Sequence, residues 1–280
     1  METSRDAEAV PIIRRARGFR LYDRQGKRYL DLYRDGGGAF LGHRSGVTVT
    51  LMKSVLSQGL ATTVPSVWEA RLVRMIASMF SGGCSVRLYS SRLRALEAVS
   101  RFLGMRVDIW DVHDPALAAQ PPMRPRVALW RPLLPQSEEA DGASAIVLPI
   151  LPLSVCEAPA PVCFPDAAAD DLPPSDPLPG FLLAGAFSAL VRLRGGRLGD
   201  FFAVSSLIEK AVDVSPGWKR RGPYVRPIFR SDAYPHVFAE FLRAGVLLSP
   251  QYPGPSILPG ECSPGEARFL AELFTEIPGG

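Results

Sequence analysis

Along residues 18–33 apolar and polar positions alternate: Phe19 and Leu21 sit between polar neighbours, and Tyr29 to Tyr33 alternates again. A period of two marks a strand covered by a core on one face. Between the two runs, Asp23-Arg24-Gln25-Gly26 supplies a tight turn with glycine in its last place, so a β-hairpin is predicted. Gly36-Gly37-Gly38 follows, and backbone uncovered by side chains suits either a sharp chain reversal or close approach to a ligand. The period then lengthens. Val47, Leu51 and Val55, with Met52 and Leu56 beside them, predict a helix over 47–60. Ser66-Val67-Trp68-Glu69 reads as a capping box before a second helix carrying Leu72, Val73, Ile76 and Phe80.

Beyond Gly82-Gly83 short apolar runs return. Residues 84–90 (CSVRLYS) predict a strand, and Leu93, Leu96, Val99 and Leu103 predict a helix stopped by Gly104. Further strands are expected at 106–110, 126–130, 144–150 and 161–164, which is the rhythm of an α/β sheet, although the later connections are too rich in proline for regular crossover helices. Residues 159–179 read as a loop. Helices are expected at 181–193 and 201–212. The closing part predicts a strand at 224–229, a helix at 237–244, a short strand in GVLLSP, and a last helix opened by Ser263-Pro264-Gly265-Glu266. No internal repeat is found.

Composition narrows the class. The chain has 280 residues, 47% hydrophobic and 21% charged, which excludes a disordered chain and allows one large domain or a large and a small one. The longest apolar runs, such as Phe181 to Val191, are broken by glycine and serine and are too short to span a bilayer. The opening METSRDAEAVPIIRRARG is mixed in sign and lacks the pattern of a secretion signal, so a cytoplasmic protein is expected. Cys84, Cys156, Cys163 and Cys262 form no C-x-x-C pair, and His43, His113 and His236 are scattered, so no metal site is expected. A net charge of +4 hints at an anionic partner. The arginines are dispersed, however, and the one tight basic triplet, Lys219-Arg220-Arg221, reads as solvated surface; nucleic acid is not the expected partner.

The stretch GFRLYDRQGKRYLDLYRDGGGAFLGH resembles the N-terminal signature of class III pyridoxal-phosphate aminotransferases, the group that includes glutamate-1-semialdehyde aminomutase. In that family a D-x-x-G-K-x-Y-L-D hairpin leads through a glycine-containing segment to Gly-His. Here these positions are Asp23, Gly26, Lys27, Tyr29, Leu30, Asp31 and Gly42-His43. Residues 238–273 (FAEFLRAGVLLSPQYPGPSILPGECSPGEARFLAEL) resemble the family's last layer, where a Gly-Val strand is followed by a proline loop and a final helix. The resemblance implies an α/β chain of the fold-type I pyridoxal-phosphate-transferase kind. Its reduced large domain would hold a mixed, mostly parallel sheet over 61–198, and a small α/β domain would be built from both termini, 1–60 and 199–280. It also implies a dimer, with itself or with a full-length homologue.

Pyridoxal phosphate needs a lysine to hold it as a Schiff base, a carboxylate to keep its pyridine nitrogen protonated, and donors around its phosphate, usually at a helix N-terminus. The phosphate station should lie in YSSRLRALEAVSRFLG. Ser90 and Ser91 are present, but Arg92, Leu93 and Arg94 stand where the family has glycine, a hydroxyl residue and glutamate. Asp166, after PVCF, is the candidate for the carboxylate. The chain has four lysines, Lys27, Lys53, Lys210 and Lys219, with none between residues 54 and 209, where the family places its Schiff-base lysine. Lys210 lies in FFAVSSLIEKAV, which reads as an amphipathic helix with the lysine exposed. Ser90, Ser91 and Asp166 are therefore the cofactor candidates and Lys210 the one catalytic candidate. The expected function is an aminotransferase-like protein without the Schiff-base lysine, non-catalytic or regulatory, with no cofactor. The alternatives are an active pyridoxal-phosphate aminotransferase or aminomutase with a relocated lysine or a noncovalent cofactor, and a basic module for anions or nucleic acid.

Overall fold

The computed structural model describes residues 10–43, 45–80, 83–117, 126–134, 145–155, 158–165, 171–195 and 203–276. It divides into two compact units, Met1–Arg44 with Gly196–Gly280, and Ser45–Gly195. In chain order the strands are β1 (Ile13–Arg17), β2 (Arg20–Asp23), β3 (Arg28–Asp31), β4 (Ser85–Tyr89), β5 (Val127–Trp130), β6 (Ile146–Pro149), β7 (Ala160–Phe164), β8 (Trp218–Arg221), β9 (Tyr224–Pro227), β10 (Val246–Leu247) and β11 (Ser256–Ile257). The helices are α1 (Gly46–Ser57), α2 (Val67–Ala77), α3 (Arg92–Leu103), α4 (Gly180–Arg194), α5 (Ser206–Val214), α6 (Tyr234–Ala244) and α7 (Pro264–Glu276).

In the first unit the predicted hairpin forms, and its sheet runs β1-β2-β3-β10, with β10 joined in parallel to β3 through Val246 opposite Leu30. Both ends of the chain thus build one sheet. The hairpin's turn is closed by its own side chains: Asp23 Oδ1 accepts from the backbone N–H groups of Gln25 and Lys27 at 2.9 and 2.8 Å, and Asp23 Oδ2 accepts from the Tyr29 hydroxyl at 3.1 Å. A second sheet, β11-β9-β8, contains a hairpin partner, β8, that the pattern did not predict. The core centres on Trp218, whose ring lies 5.4, 5.7 and 5.2 Å from those of Phe229, Phe241 and Phe274.

Ser263 and Glu266 close the start of α7 as a capping box, with the Ser263 N–H donating to Glu266 Oε2 at 2.8 Å and the Glu266 N–H donating to Ser263 Oγ at 3.2 Å. Glu266 also takes a bidentate pair from Arg20, at 2.8 and 2.6 Å. These Arg20 hydrogen bonds outweigh desolvation and hold the Glu266 carboxyl down to about 2. A carboxyl depressed in the folded state contributes in full above its ordinary pKa and loses that contribution as pH falls toward the folded value. Glu266→Gln is therefore expected to cost about 2 kcal/mol at pH 7, and the gap to wild type should close between about pH 4.5 and pH 2. Urea unfolding of both proteins across that range checks it; a gap that stays constant with pH contradicts it.

In the second unit the sheet order is β4-β7-β6-β5. Strand β7 is antiparallel to both neighbours, and β5 and β6 are parallel. It follows that β4, β5 and β6 share one direction and end at one edge. Helix α3 covers one face, in a core with Tyr89, Leu129, Leu148, Val162 and Phe164. Helix α2 packs on β4 and α4, and α1 packs on α4. The α1–α4 approach is close because position 185 lacks a side chain: a Cβ on Gly185 would lie 2.8 Å from Met52 Sδ. This packing places α1 in the second unit, whereas residues up to 60 were expected to go with the hairpin.

Two local expectations are corrected. Residues 106–110 form no strand: a 3-10 turn, Ile109–Asp111, is closed by a capping box between Asp108 and Asp111. Aspartates at both ends of that short run offer the backbone nearer partners than a ladder would. Ser66 starts α2 but its side chain does not cap it, and Ser66 Oγ is buried without a hydrogen-bond partner.

Candidate functional site

In an open α/β sheet the carboxyl ends of parallel strands are where ligands gather. In the second unit that edge is occupied by the residues following β4, β5 and β6, namely Ser90, Arg131 and Ile150.

At β4 the chain turns through Ser90 and Ser91 into α3. Ser91 Oγ accepts from the Arg94 N–H at 3.2 Å, so Ser91 is an ordinary N-cap. Ser90 has another partner: its N–H and its hydroxyl both donate to Asp176 Oδ2, at 3.0 and 2.7 Å. Arg94 Nη2 donates to Asp176 Oδ1 at 3.2 Å. The segment that brings Asp176 is fastened along β4, since the Asp176 N–H donates to the Leu88 carbonyl at 2.8 Å, the Leu88 N–H to Ser175 Oγ at 3.1 Å and the Tyr89 hydroxyl to the Pro173 carbonyl at 3.1 Å. Desolvation, the largest single influence, raises the Asp176 pKa, but the Ser90 donors and Arg94 together outweigh it and the net shift is downward. The end of α3 thus holds an internal carboxylate, favoured further by the helix dipole.

A second ion pair stands at the end of β5. Arg131 Nε and Nη2 meet Asp114 Oδ1 and Oδ2 at 2.6 and 2.5 Å, with side-chain exposures of 6% and 10% that place the pair in the interior. Three strand spacings separate this pair from Ser90, about 14 Å, so the two are separate clusters.

The candidates from sequence fall as follows. Ser90 and Ser91 lie at the strand-to-helix turn at the carboxyl edge. Asp166 lies outside the described residues; Phe164, at the end of the strand leading toward it, is opposite Ser85, at the far end of β4 from Ser90. Within Ser45–Gly195 the sequence holds one lysine, Lys53, and it is exposed on α1. Lys210 is exposed on α5 in the first unit. Among the described residues no group of three or more His, Cys, Asp or Glu is arranged to hold a metal.

The signature residues of the N-terminal hairpin serve the architecture of the first unit. Asp31 Oδ1 accepts from the Arg34 N–H at 2.9 Å and Asp31 Oδ2 lies 2.7 Å from His43 Nε2. Arg34 is wholly buried; its guanidinium donates to the carbonyls of Asp31, Phe40 and Leu258 at 3.2, 3.1 and 2.8 Å and lies 4.0 Å from the centre of the Phe19 ring. Burial pushes its pKa down to about 9, so the group stays charged at neutral pH. Residues 34–37 all have positive φ, 48, 52, 61 and 120°, a reversal that wraps the arginine and that Gly36 and Gly37 adopt without strain. Of the two uses foreseen for the glycines, this is the chain reversal. Asp176 was missed from sequence because it sits in a proline-rich loop 86 residues from its partner, with no periodic signal.

No family model matches the chain. An uncharacterized protein of Borreliella burgdorferi is 27% identical over 272 residues, covering 94% of this chain and 90% of that one. An uncharacterized protein of Treponema pallidum is 29% identical over 292 aligned positions, covering 88% of each. Glutamate-1-semialdehyde 2,1-aminomutase of Ruminiclostridium cellulolyticum is 33% identical over 90 residues, which are 32% of this chain and 21% of the longer enzyme. Among solved structures, an ornithine aminotransferase from Plasmodium yoelii superposes with a TM-score of 0.69 at 13% identity, over 96% of this chain and 94% of that one. A transaminase with PLP bound superposes with a TM-score of 0.68 at 14% identity, over 99% and 93%. The chain has the fold of the class III pyridoxal-phosphate aminotransferases, the fold-type I architecture.

That fold implies pyridoxal phosphate, and the helix end can be tested for it. Its Ser90 and Arg94 side-chain donors and the Ser90 N–H are engaged by Asp176, and the Leu93 side chain, 68% exposed, offers none. As arranged, the turn does not fit a phosphate.

Proposed function

We propose that this chain is an aminotransferase-like protein that lacks the Schiff-base lysine and acts without catalysing transamination, as a regulatory member of a homodimer or of a heterodimer with a full-length homologue. The observation that carries the reading is the lysine gap: none stands between residues 54 and 209, and Lys53, the one lysine of the second unit, is exposed on α1. An exposed ammonium on a helix keeps its hydration, whereas a Schiff-base lysine needs a desolvated or electropositive setting. On this reading the protein holds no covalent cofactor. No described helix is long and apolar enough to cross a membrane, and the reading places the protein in the cytoplasm. The competing reading, an active enzyme with a relocated lysine, draws on the solved neighbours, one of which carries PLP, and its candidate is Lys210.

Borohydride reduction after incubation with pyridoxal phosphate, followed by peptide mapping, separates them. The expected result is no stoichiometric pyridoxyl group on Lys27, Lys53, Lys210 or Lys219. One pyridoxyl group per chain at a single lysine, lost in Lys210→Ala or in the corresponding variant, overturns the proposal.

A further inference from the structure

We infer that Asp176 is a built-in substitute for the cofactor's phosphate, and that its carboxylate closes the start of α3 to phosphate-bearing ligands. The inference rests on the reading of the Ser90-Ser91 turn as the counterpart of the family's phosphate station. Three donors converge on one carboxylate: the Ser90 N–H, the Ser90 hydroxyl and Arg94. A phosphate oxygen at a helix N-terminus would use the same kinds of donor, a backbone amide, a hydroxyl and an arginine.

The carboxylate does not hang loosely over the helix. Its side chain is 15% exposed, and its own N–H is tied to the Leu88 carbonyl at 2.8 Å, so the loop arrives as an added rung on β4. Tyr89 and Ser175 bind the same segment. A phosphate entering would therefore have to displace a charge-assisted triad and peel a backbone contact, and would otherwise meet a like charge at hydrogen-bond range. Arg94 is shared with Glu97 at 2.5 Å, which further lowers the net positive charge available to an incoming anion. Desolvation and like charge act together against a dianion here.

Thermal unfolding with added inorganic phosphate tests this, using chloride at matched ionic strength as the control. Wild type should show no phosphate-specific rise in Tm at about 10 mM. Asp176→Ala should lose about 2–4 °C and recover it with phosphate, because the freed Ser90 and Arg94 donors regain an anion. Adding Arg94→Ala to that variant should abolish the recovery. A saturable rise of Tm in the wild type overturns the inference, as does an Asp176→Ala protein that melts like wild type and ignores phosphate. Should Asp176→Ala fail to fold, Asp176→Asn, of the same shape without the charge, takes its place, and the wild-type arm decides in any case. Pyridoxal, which has no phosphate, keeps the two proposals apart: its fixation on a lysine by borohydride would overturn the proposed function and leave this inference standing.

Discussion

Arg34→Met should destabilise the first unit by about 3–5 kcal/mol, because it leaves several buried acceptors without their donor. Arg34 is fully buried and its guanidinium supplies hydrogen bonds to the carbonyls of Asp31, Phe40 and Leu258. Methionine preserves much of the volume and the contact with Phe19, so the loss would come mainly from those carbonyls and from the Asp31 carboxylate, left buried with His43 and without the cation. Arg34→Lys should recover only a small part, since a single ammonium cannot reach three carbonyls lying in different directions. Urea unfolding followed by near-ultraviolet circular dichroism reports on the Trp218 cluster of the same unit. A methionine variant within about 0.5 kcal/mol of wild type would show that the arginine is incidental to the fold.

The same residues show why the ends of the chain could be read from sequence. Asp23, Gly26, Lys27 and Tyr29 act on one another over six residues, and Asp31 reaches Arg34 and His43 a few positions on. Such short-range chemistry leaves a compact pattern. The Ser263–Glu266 capping box is equally local. The middle behaves differently. Ser90 and Ser91 could be placed at a strand-to-helix turn from local signals, but their chemistry depends on Asp176, delivered by a loop with no period. Strand β8 was overlooked because Lys219-Arg220-Arg221 carries no alternation; Arg220 is held by Glu209 and Asp213 at 2.8 and 2.7 Å, so charge pairing across elements replaces a hydrophobic face. Residues 106–110 looked like a strand from composition, yet two aspartates captured the backbone first. The direction of β7 was also out of reach, because strand order and polarity are set by pairings that no local run encodes.

The largest effect in the second unit is expected at the Asp114–Arg131 pair, and it takes a double-mutant cycle to see it. Both side chains are nearly excluded from solvent and joined by two hydrogen bonds, and Asp114 also accepts from the Ala116 N–H at 2.9 Å, so each charge has lost most of its hydration and is compensated largely by the other. Arg131→Met alone should cost about 3–5 kcal/mol, and Asp114→Leu alone a similar amount, because each takes the bidentate counter-charge away from a buried group. The double variant should lie within about 1 kcal/mol of wild type, since removing both charges also removes both desolvation costs. Single costs that simply add would mean that the two groups do not depend on each other. Coupling without loss of stability in the double variant would make the pair a structural tie at the end of β5.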